Sequence, residues 1–384
     1  MEQLAACRNP SYLTAMRQLL LPALAACVFN VAALAQTDQG DQIQTRLDAA
    51  IADDAAPGLS ATLLAADGAR IDHQSGFADR RGHVPVDTDT RFLSGSVGKT
   101  ITALLAVQLA NDGVLDLDAP VAPWLSGHDW WPRLANHDAL TLRRLLNHSA
   151  GVPDYLEDID FFLAGLTRGA RGFTPEETVG FVAGDGPEGP PGAHFSYSDT
   201  DYILVGLVIE AVTGEDFYDL AQRRVIGPLE LERTEPLQGR VFDDLADGRR
   251  GGLFGRRTTA RNGRLNENLD HEWTAGGWVT TPGDLAQLYR SLGENGLFAA
   301  EGAEMRLDPN PLNATGTSGY GLGLYVRLRD DGTYRIAHGG DFGGYRSAAM
   351  YDSGSGLALA VQANDKRFEA PDMAATLLDL LGEN

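Results

Sequence analysis

The sequence predicts an α+β fold, an α/β sandwich whose antiparallel sheet is built from both ends of the chain with a mostly helical region inserted between them. Three observations carry this. Short apolar runs separated by Gly and Asp turns crowd residues 58–77 and 321–361, helical periodicities fill much of the stretch between, and no internal repeat divides the 384 residues. Residues 36–115 and 271–384 are therefore expected to form the sheet domain, residues 116–270 the helical one.

At the amino terminus, Arg17 precedes an apolar run from Leu19 to Ala32, then Ala33-Leu34-Ala35 and the polar Gln36-Thr37-Asp38. This is the layout of a secretory signal peptide over 1–35, removed near Ala35, and it predicts a periplasmic or secreted protein. Pro22, Asn30 and the short apolar length argue against a membrane span. Lipidation at Cys27 ranks second, because the apolar stretch continues past it to Leu34. Cys7 and Cys27 both lie in this segment, so the processed chain has no thiol for a disulfide, a nucleophile or a metal.

Next, Ile43, Leu47, Ala50 and Ile51 repeat at helical spacing and Pro57-Gly58 closes that helix. Leu59 to Ala66 and Arg70 to Phe77 read as a hairpin turned by Asp67-Gly68. From Val97 to Asn111 nearly every face is apolar, which predicts a buried helix ending near Gly113. Beyond it come short helices and long Pro/Gly/Asp-rich loops to about Asp270, including Leu142 to Asn147 and Tyr202 to Thr213 with Gly214 as terminator. Thr281-Pro282-Gly283-Asp284 opens a further helix. Strands return at Gly321 to Leu328, Thr333 to Ala337, Arg346 to Tyr351 and Leu357 to Val361, before a last helix around Met373 to Leu381.

A formal net charge of -22 opposes phosphate backbones and anionic lipid heads, which excludes a nucleic-acid role without a large basic patch. No phosphate loop or dinucleotide fingerprint is present, and His271-Glu272-Trp273 lacks the second His of a zinc helix. No metal or cofactor is expected.

Ser96-Val97-Gly98-Lys99 places a hydroxyl at the head of the buried helix and an ammonium three residues on, on one face and about 5 to 6 Å apart at Cβ. With 14 Ser and two Lys, shuffling alone would produce Ser-x-x-Lys in roughly 7% of chains. A lysine in an apolar helix is a stronger signal. Such a Lys either gives up its proton or stabilises a neighbouring anion that acts as base, which activates a serine.

Around this pair the chain resembles the serine β-lactamase-related family, which includes class C β-lactamases, D-alanyl-D-alanine carboxypeptidases, D-aminopeptidases and related esterases. The resemblance rests on Pro57-Gly58-Leu59-Ser60, Asp89-Thr90-Arg91-Phe92 leading into Ser96 to Thr100, and Gly113 to Val121. It continues in Leu145 to Tyr155, in Phe195-Ser196-Tyr197-Ser198-Asp199 with Tyr202 and Gly206, and in His338-Gly339-Gly340 with Gly344. It implies a β-lactamase/transpeptidase-like fold with Ser96 as acylated nucleophile, Lys99 and Tyr197 sharing the proton relay, and the N–H groups of Ser96 and Asp341 as oxyanion hole. Asp199, His338, Gly339 and Gly340 would contact substrate, the glycines by letting it approach the strand closely.

Two departures bear on chemistry. Position 199 is Asp where the family usually has Asn; an ionised carboxylate cannot donate to a substrate carbonyl, and it favours a charged Lys99, leaving Tyr197 as base. Equally open is that Asp199 caps the helix from Thr200. His338 stands where most β-lactamases present Lys, and a neutral imidazole offers a β-lactam carboxylate no full charge.

Elsewhere His148 is expected to fix a loop by hydrogen bonding, and Trp130-Trp131 either to line an acyl pocket or to wedge the loop Ser126 to Thr141. The seven arginines between Arg240 and Arg264 are expected to pair with surface carboxylates. The sequence thus describes an exported serine hydrolase whose partner is a small-molecule ester or peptide, with a β-lactamase as first alternative and a non-catalytic cell-wall peptide binder as second.

Overall fold

The computed structural model describes residues 40–79, 81–168, 171–250 and 257–382; the signal-peptide reading over 1–35, with Cys7 and Cys27, lies outside the described residues. Helix α1 (residues 40–52) buries Ile43 and Leu47. Strands β1 (Gly58–Leu64) and β2 (Arg70–Gly76) then pair antiparallel, with Leu64 opposite Arg70 across the turn that Asp67-Gly68 predicts. The chain leaves the sheet through α2 (Lys99–Asn111) and α3 (Asp199–Thr213), returns to it with α4 (Pro282–Ser291), and ends in α5 (Ala370–Gly382).

Six more strands, β3 (Asn310–Pro311), β4 (Ser318–Tyr320), β5 (Tyr325–Leu328), β6 (Tyr334–Phe342), β7 (Tyr345–Asp352) and β8 (Leu357–Ala363), complete the sheet in the order β3-β4-β5-β6-β7-β8-β1-β2. The last strand lies beside the first, Gln362 opposite Ser60, so both chain ends do build one antiparallel sheet. Side chains alternate across it. Leu59, Ala61, Leu63, Leu359 and Val361 pack with α1 and α5, whereas Ala358 and Ala360 face the other way, into one core with Leu285 and Leu288 of α4 and Ile101 and Leu104 of α2.

Three expectations are corrected. The strand expected over 321–328 starts only at Tyr325, as β5, and β4 precedes it outside that range; residues 321–324 bend between the two, with Gly323 at φ +72 against α2, where a Cβ would lie 2.4 Å from that of Ala103. Strand β6 does not end at Ala337 but runs through His338-Gly339-Gly340 to Phe342. In the inserted region the helices stop at Ile226; beyond it come two-residue strands such as Glu235–Pro236 and Ala260–Arg261. That segment has no helical apolar period and buries Leu237, Phe242, Leu245 and Leu265 singly, against Phe92 and Tyr345.

Candidate active site

Two glycines bring the Ser96 turn onto strand β6. Residues Gly95–Gly98 form a 3-10 turn that runs directly into α2, and Gly95 takes φ +50, a conformation that costs glycine nothing. A Cβ on Gly340 would stand 2.1 Å from the Ser94 carbonyl oxygen and 3.3 Å from the Ser96 nitrogen, and one on Gly95 would stand 3.1 Å from the Asp341 nitrogen. The amides of Ser96 and Asp341 therefore flank one contact. At Gly340 the missing Cβ makes room for the Ser94 backbone and at Gly339 for Pro371, and both glycines also line the cleft, where they were expected to contact substrate.

Ser96 is half-buried and opens into a cleft of about 580 Å³ lined also by Tyr197, Asp199, Tyr325, His338, Asp341 and Arg346. Every site residue expected from the sequence thus comes together here, in or beside one cleft.

Lys99 is fully buried and its ammonium has three acceptors: Ser96 Oγ at 3.2 Å, the Ala275 carbonyl at 2.7 Å and the Asp199 carboxylate in direct contact. An ammonium has three protons, so each is engaged. Burial alone would push the Lys99 pKa down, but the negative charges of Asp199 and Glu272 outweigh it and hold it above the ordinary lysine value. The rings of Tyr197 and Tyr202 lie 5.0 and 5.4 Å from Nζ.

The Asp199 side chain serves Lys99 and does not cap α3. Ser198 stands at the cap position without a side-chain cap bond, and the Asp199 N–H donates to the Asp154 carboxylate, so the capping reading is corrected. Tyr197 shares a hydrogen bond with Ser96; burial and then Asp199 push its phenol well above the ordinary range, against that bond.

Behind Tyr197 sits His148, buried, its ring 4.2 Å from that of Tyr197. Its Nδ1 is 3.0 Å from Asp201 Oδ2 and 3.3 Å from the Ser198 N–H, so the loop-fixing role expected for it is observed. Burial pushes the His148 pKa well down and that of Asp201 well up, which favours a neutral pair. His338 lines the cleft while only 3% exposed, its Nε2 held at 2.8 Å by the Tyr320 hydroxyl. Burial, then the Lys99 charge, lowers its pKa to about 3, so it is a neutral imidazole.

Four contributors escaped sequence reasoning: Tyr320, Asp154, Glu272 and Arg346. Glu272 is 2% exposed with Oε2 unpartnered, and burial followed by Asp199 raises its pKa well above the carboxylate range. Arg346 had a readable signal, since the Gly343-Gly344 turn after β6 places it opposite Asp341 in the hairpin. Its guanidinium is 3.4 Å from the Asp341 carboxylate and donates to the Lys366 carbonyl at 2.7 Å. Of the arginines between 240 and 264, none that is described lines the cleft; Arg250 pairs with Glu267 and Arg249 with Asp365, as expected of that segment. Trp130 and Trp131 are buried away from the cleft, Trp130 stacked on His128, so they wedge the loop.

A family model described as Beta-lactamase matches residues 43–383. The chain belongs to that family. Penicillin-binding protein 4* of Bacillus subtilis (strain 168) is 25% identical over 299 residues, 75% of this chain and 64% of that protein. Esterase EstB of Burkholderia gladioli is 33% identical over 161 residues, 40% of each chain. The solved structure of a D-stereospecific amidohydrolase from Streptomyces sp. superposes with a TM-score of 0.73 at 29% identity, covering 86% of this chain and 96% of that one. The first three curated relatives are matched over only 64%, 48% and 34% of their own length. The family thus brings together penicillin-binding proteins, an esterase and an amidohydrolase on one β-lactamase/transpeptidase-like fold. Among the described residues no helix is long and apolar enough to cross a membrane.

Proposed function

We propose that this chain is an exported serine hydrolase that forms an acyl-enzyme on Ser96 and cleaves neutral esters or small amides of the D-amino-acid type. The observation that carries the reading is the Ser96 hydroxyl, bonded at once to Lys99 and Tyr197 at the floor of an open cleft and flanked by two backbone amides. Export is supported by the arrangement of residues 17–38.

In this reading Ser96 Oγ attacks the substrate carbonyl while Lys99 and Tyr197 handle its proton. The amides of Ser96 and Asp341 receive the oxyanion, a contribution of about 2.7–4 kcal/mol per donor in comparable sites. The leaving alcohol or amine departs protonated, and water repeats the attack on the ester to free the acid. A non-catalytic binder would have no physical reason to keep a fully buried lysine beside a cleft serine.

One observation favours a second reading, hydrolysis of substrates with a free carboxylate, penicillins included: Arg346 lines the cleft. Asp341 and Glu369 together answer the charges of Arg346 and Lys366, so neutral substrates rank first. The test is mass analysis after incubation with a slow acylating ester. Added mass on the peptide holding Ser96, lost in Ser96→Ala, is expected; label elsewhere, or none from several ester classes, overturns the reading.

A further inference from the structure

We infer that Asp199 is the terminal proton acceptor of a Ser96–Lys99–Asp199 relay: the Ser96 proton passes to Lys99 Nζ as a different Nζ proton passes to the Asp199 carboxylate. The inference rests on the acyl-enzyme reading above and goes beyond it by assigning the base.

The geometry leaves little else. Lys99 holds its three protons against Ser96, Ala275 and Asp199, so Nζ has no free lone pair with which to take the serine proton. It can accept one only by releasing another at the same moment. Of its three partners, the Ala275 carbonyl is not a base and Ser96 is the donor, which leaves the carboxylate. Tyr197 is poorly placed to serve as that base. The neighbouring His338 is neutral and tied to Tyr320, and Asp199 opposes ionisation of the phenol. The titratable groups facing the Lys99–Asp199 pair include Tyr197, Tyr202, Tyr155, Tyr325, His148, His338, Glu272, Asp154 and Asp201. Of the carboxyl groups around Lys99, Asp199 is the one in direct contact with the ammonium, whereas burial and neighbouring carboxylates hold those of Glu272, Asp154 and Asp201 up.

The step balances. In acylation the Oγ–acyl bond forms, one proton moves from Oγ to Nζ and another from Nζ to Asp199 Oδ1. When the tetrahedral adduct collapses, the bond to the leaving group breaks, that group takes a proton from Nζ, and Asp199 returns its proton to Lys99. Water follows the same path in deacylation. Tyr197 keeps its proton throughout and orients Ser96.

The experiment uses the full chain and a p-nitrophenyl ester, with single-turnover acylation rates from pH 4 to 9. Asp199→Asn keeps the shape and removes the base, so acylation is expected to fall about 10²–10³-fold with KM little changed, while the acid limb of the pH profile disappears. Tyr197→Phe is expected to lose about tenfold or less and keep that limb. Asp199→Ala guards against misfolding: formate should restore part of its rate and formamide should not. Asp199→Asn acylating at the wild-type rate, Tyr197→Phe abolishing acylation, or equal responses to formate and formamide would each overturn the relay. Failure of the wild-type protein to label at Ser96 with a fluorophosphonate would instead remove the hydrolase reading, and the relay with it.

Discussion

Gly340 lies against Ser94 so closely that a single added methyl would stand 2.1 Å from the Ser94 carbonyl oxygen, and the Ser96 nitrogen is the next residue's atom it would meet among those nearby. The strand that carries the third sequence motif is thus keyed to the turn that carries the first. The distance between the Ser96 and Asp341 amides, the proposed oxyanion donors, depends on that contact.

Gly340→Ala must therefore separate β6 from the Ser96 turn. The expected outcome is a loss of about 10²–10³-fold in kcat toward p-nitrophenyl esters, the cost of misplacing one oxyanion donor. Overpacking should also lower stability by about 1–3 kcal/mol, read from urea unfolding. An Ala variant with native kcat would show that the Asp341 amide is not used.

Lys99→Arg tests whether position 99 transfers a proton or merely supplies charge. A guanidinium keeps the charge but cannot release its proton at useful pH, and its fork does not fit the Ser96, Ala275 and Asp199 acceptors. Turnover is expected to fall about 10²–10⁴-fold, nearly as far as in Lys99→Ala. Rates close to wild type would mean that fixed charge suffices.

Asp154 supplies a pH dependence. Burial, then Asp199, raises its carboxyl to about 7, so it is neutral below that pH and ionised above it. Ionisation adds a negative charge next to Asp199 and opposes the oxyanion, so kcat/KM is expected to fall as pH rises through about 7, and Asp154→Asn should flatten that fall. The same shift acts on stability. Because the folded-state pKa lies above the unfolded value of 3.8, the contribution is complete below that pH and is lost as pH rises toward 7. Thermal melts between pH 4 and 8 should therefore decline more for wild type than for Asp154→Asn.

His338 sets the substrate ranking. As a neutral, 3% exposed imidazole tied to Tyr320 it supplies no charge to a substrate carboxylate, and Arg346 already faces Asp341 and Glu369. Short-chain p-nitrophenyl esters are expected to show a higher kcat/KM than nitrocefin or benzylpenicillin. His338→Lys should narrow the ratio by about tenfold, the worth of about 1.4 kcal/mol of new attraction. Nitrocefin as the better substrate of the unmodified protein would place the carboxylate-binding reading first.

What the sequence determined by itself is the part written in local periodicity and motif. The buried helix after Ser96, the hairpin at Asp67-Gly68 and the sheet drawn from both chain ends are all legible because apolar spacing and turn residues act within a few positions. The pairing of Ser96 with Lys99 is legible for the same reason, three residues being one helical turn. What only the tertiary structure decided is the work of Asp199. One reading of the sequence made it a helix cap and another an anion near Lys99, and nothing local separates the two. Lys99 and Asp199, 100 positions apart, are brought together by the packing of α2 on α3, which delivers the carboxylate to the ammonium and leaves the helix end to Asp154. Tyr320, Glu272 and Arg346 were decided the same way. An isolated Tyr or Glu carries no spacing signal, and although the Gly343-Gly344 turn hints at Arg346, the chemistry of each appears only when folding removes the water around it and fixes which charge it faces.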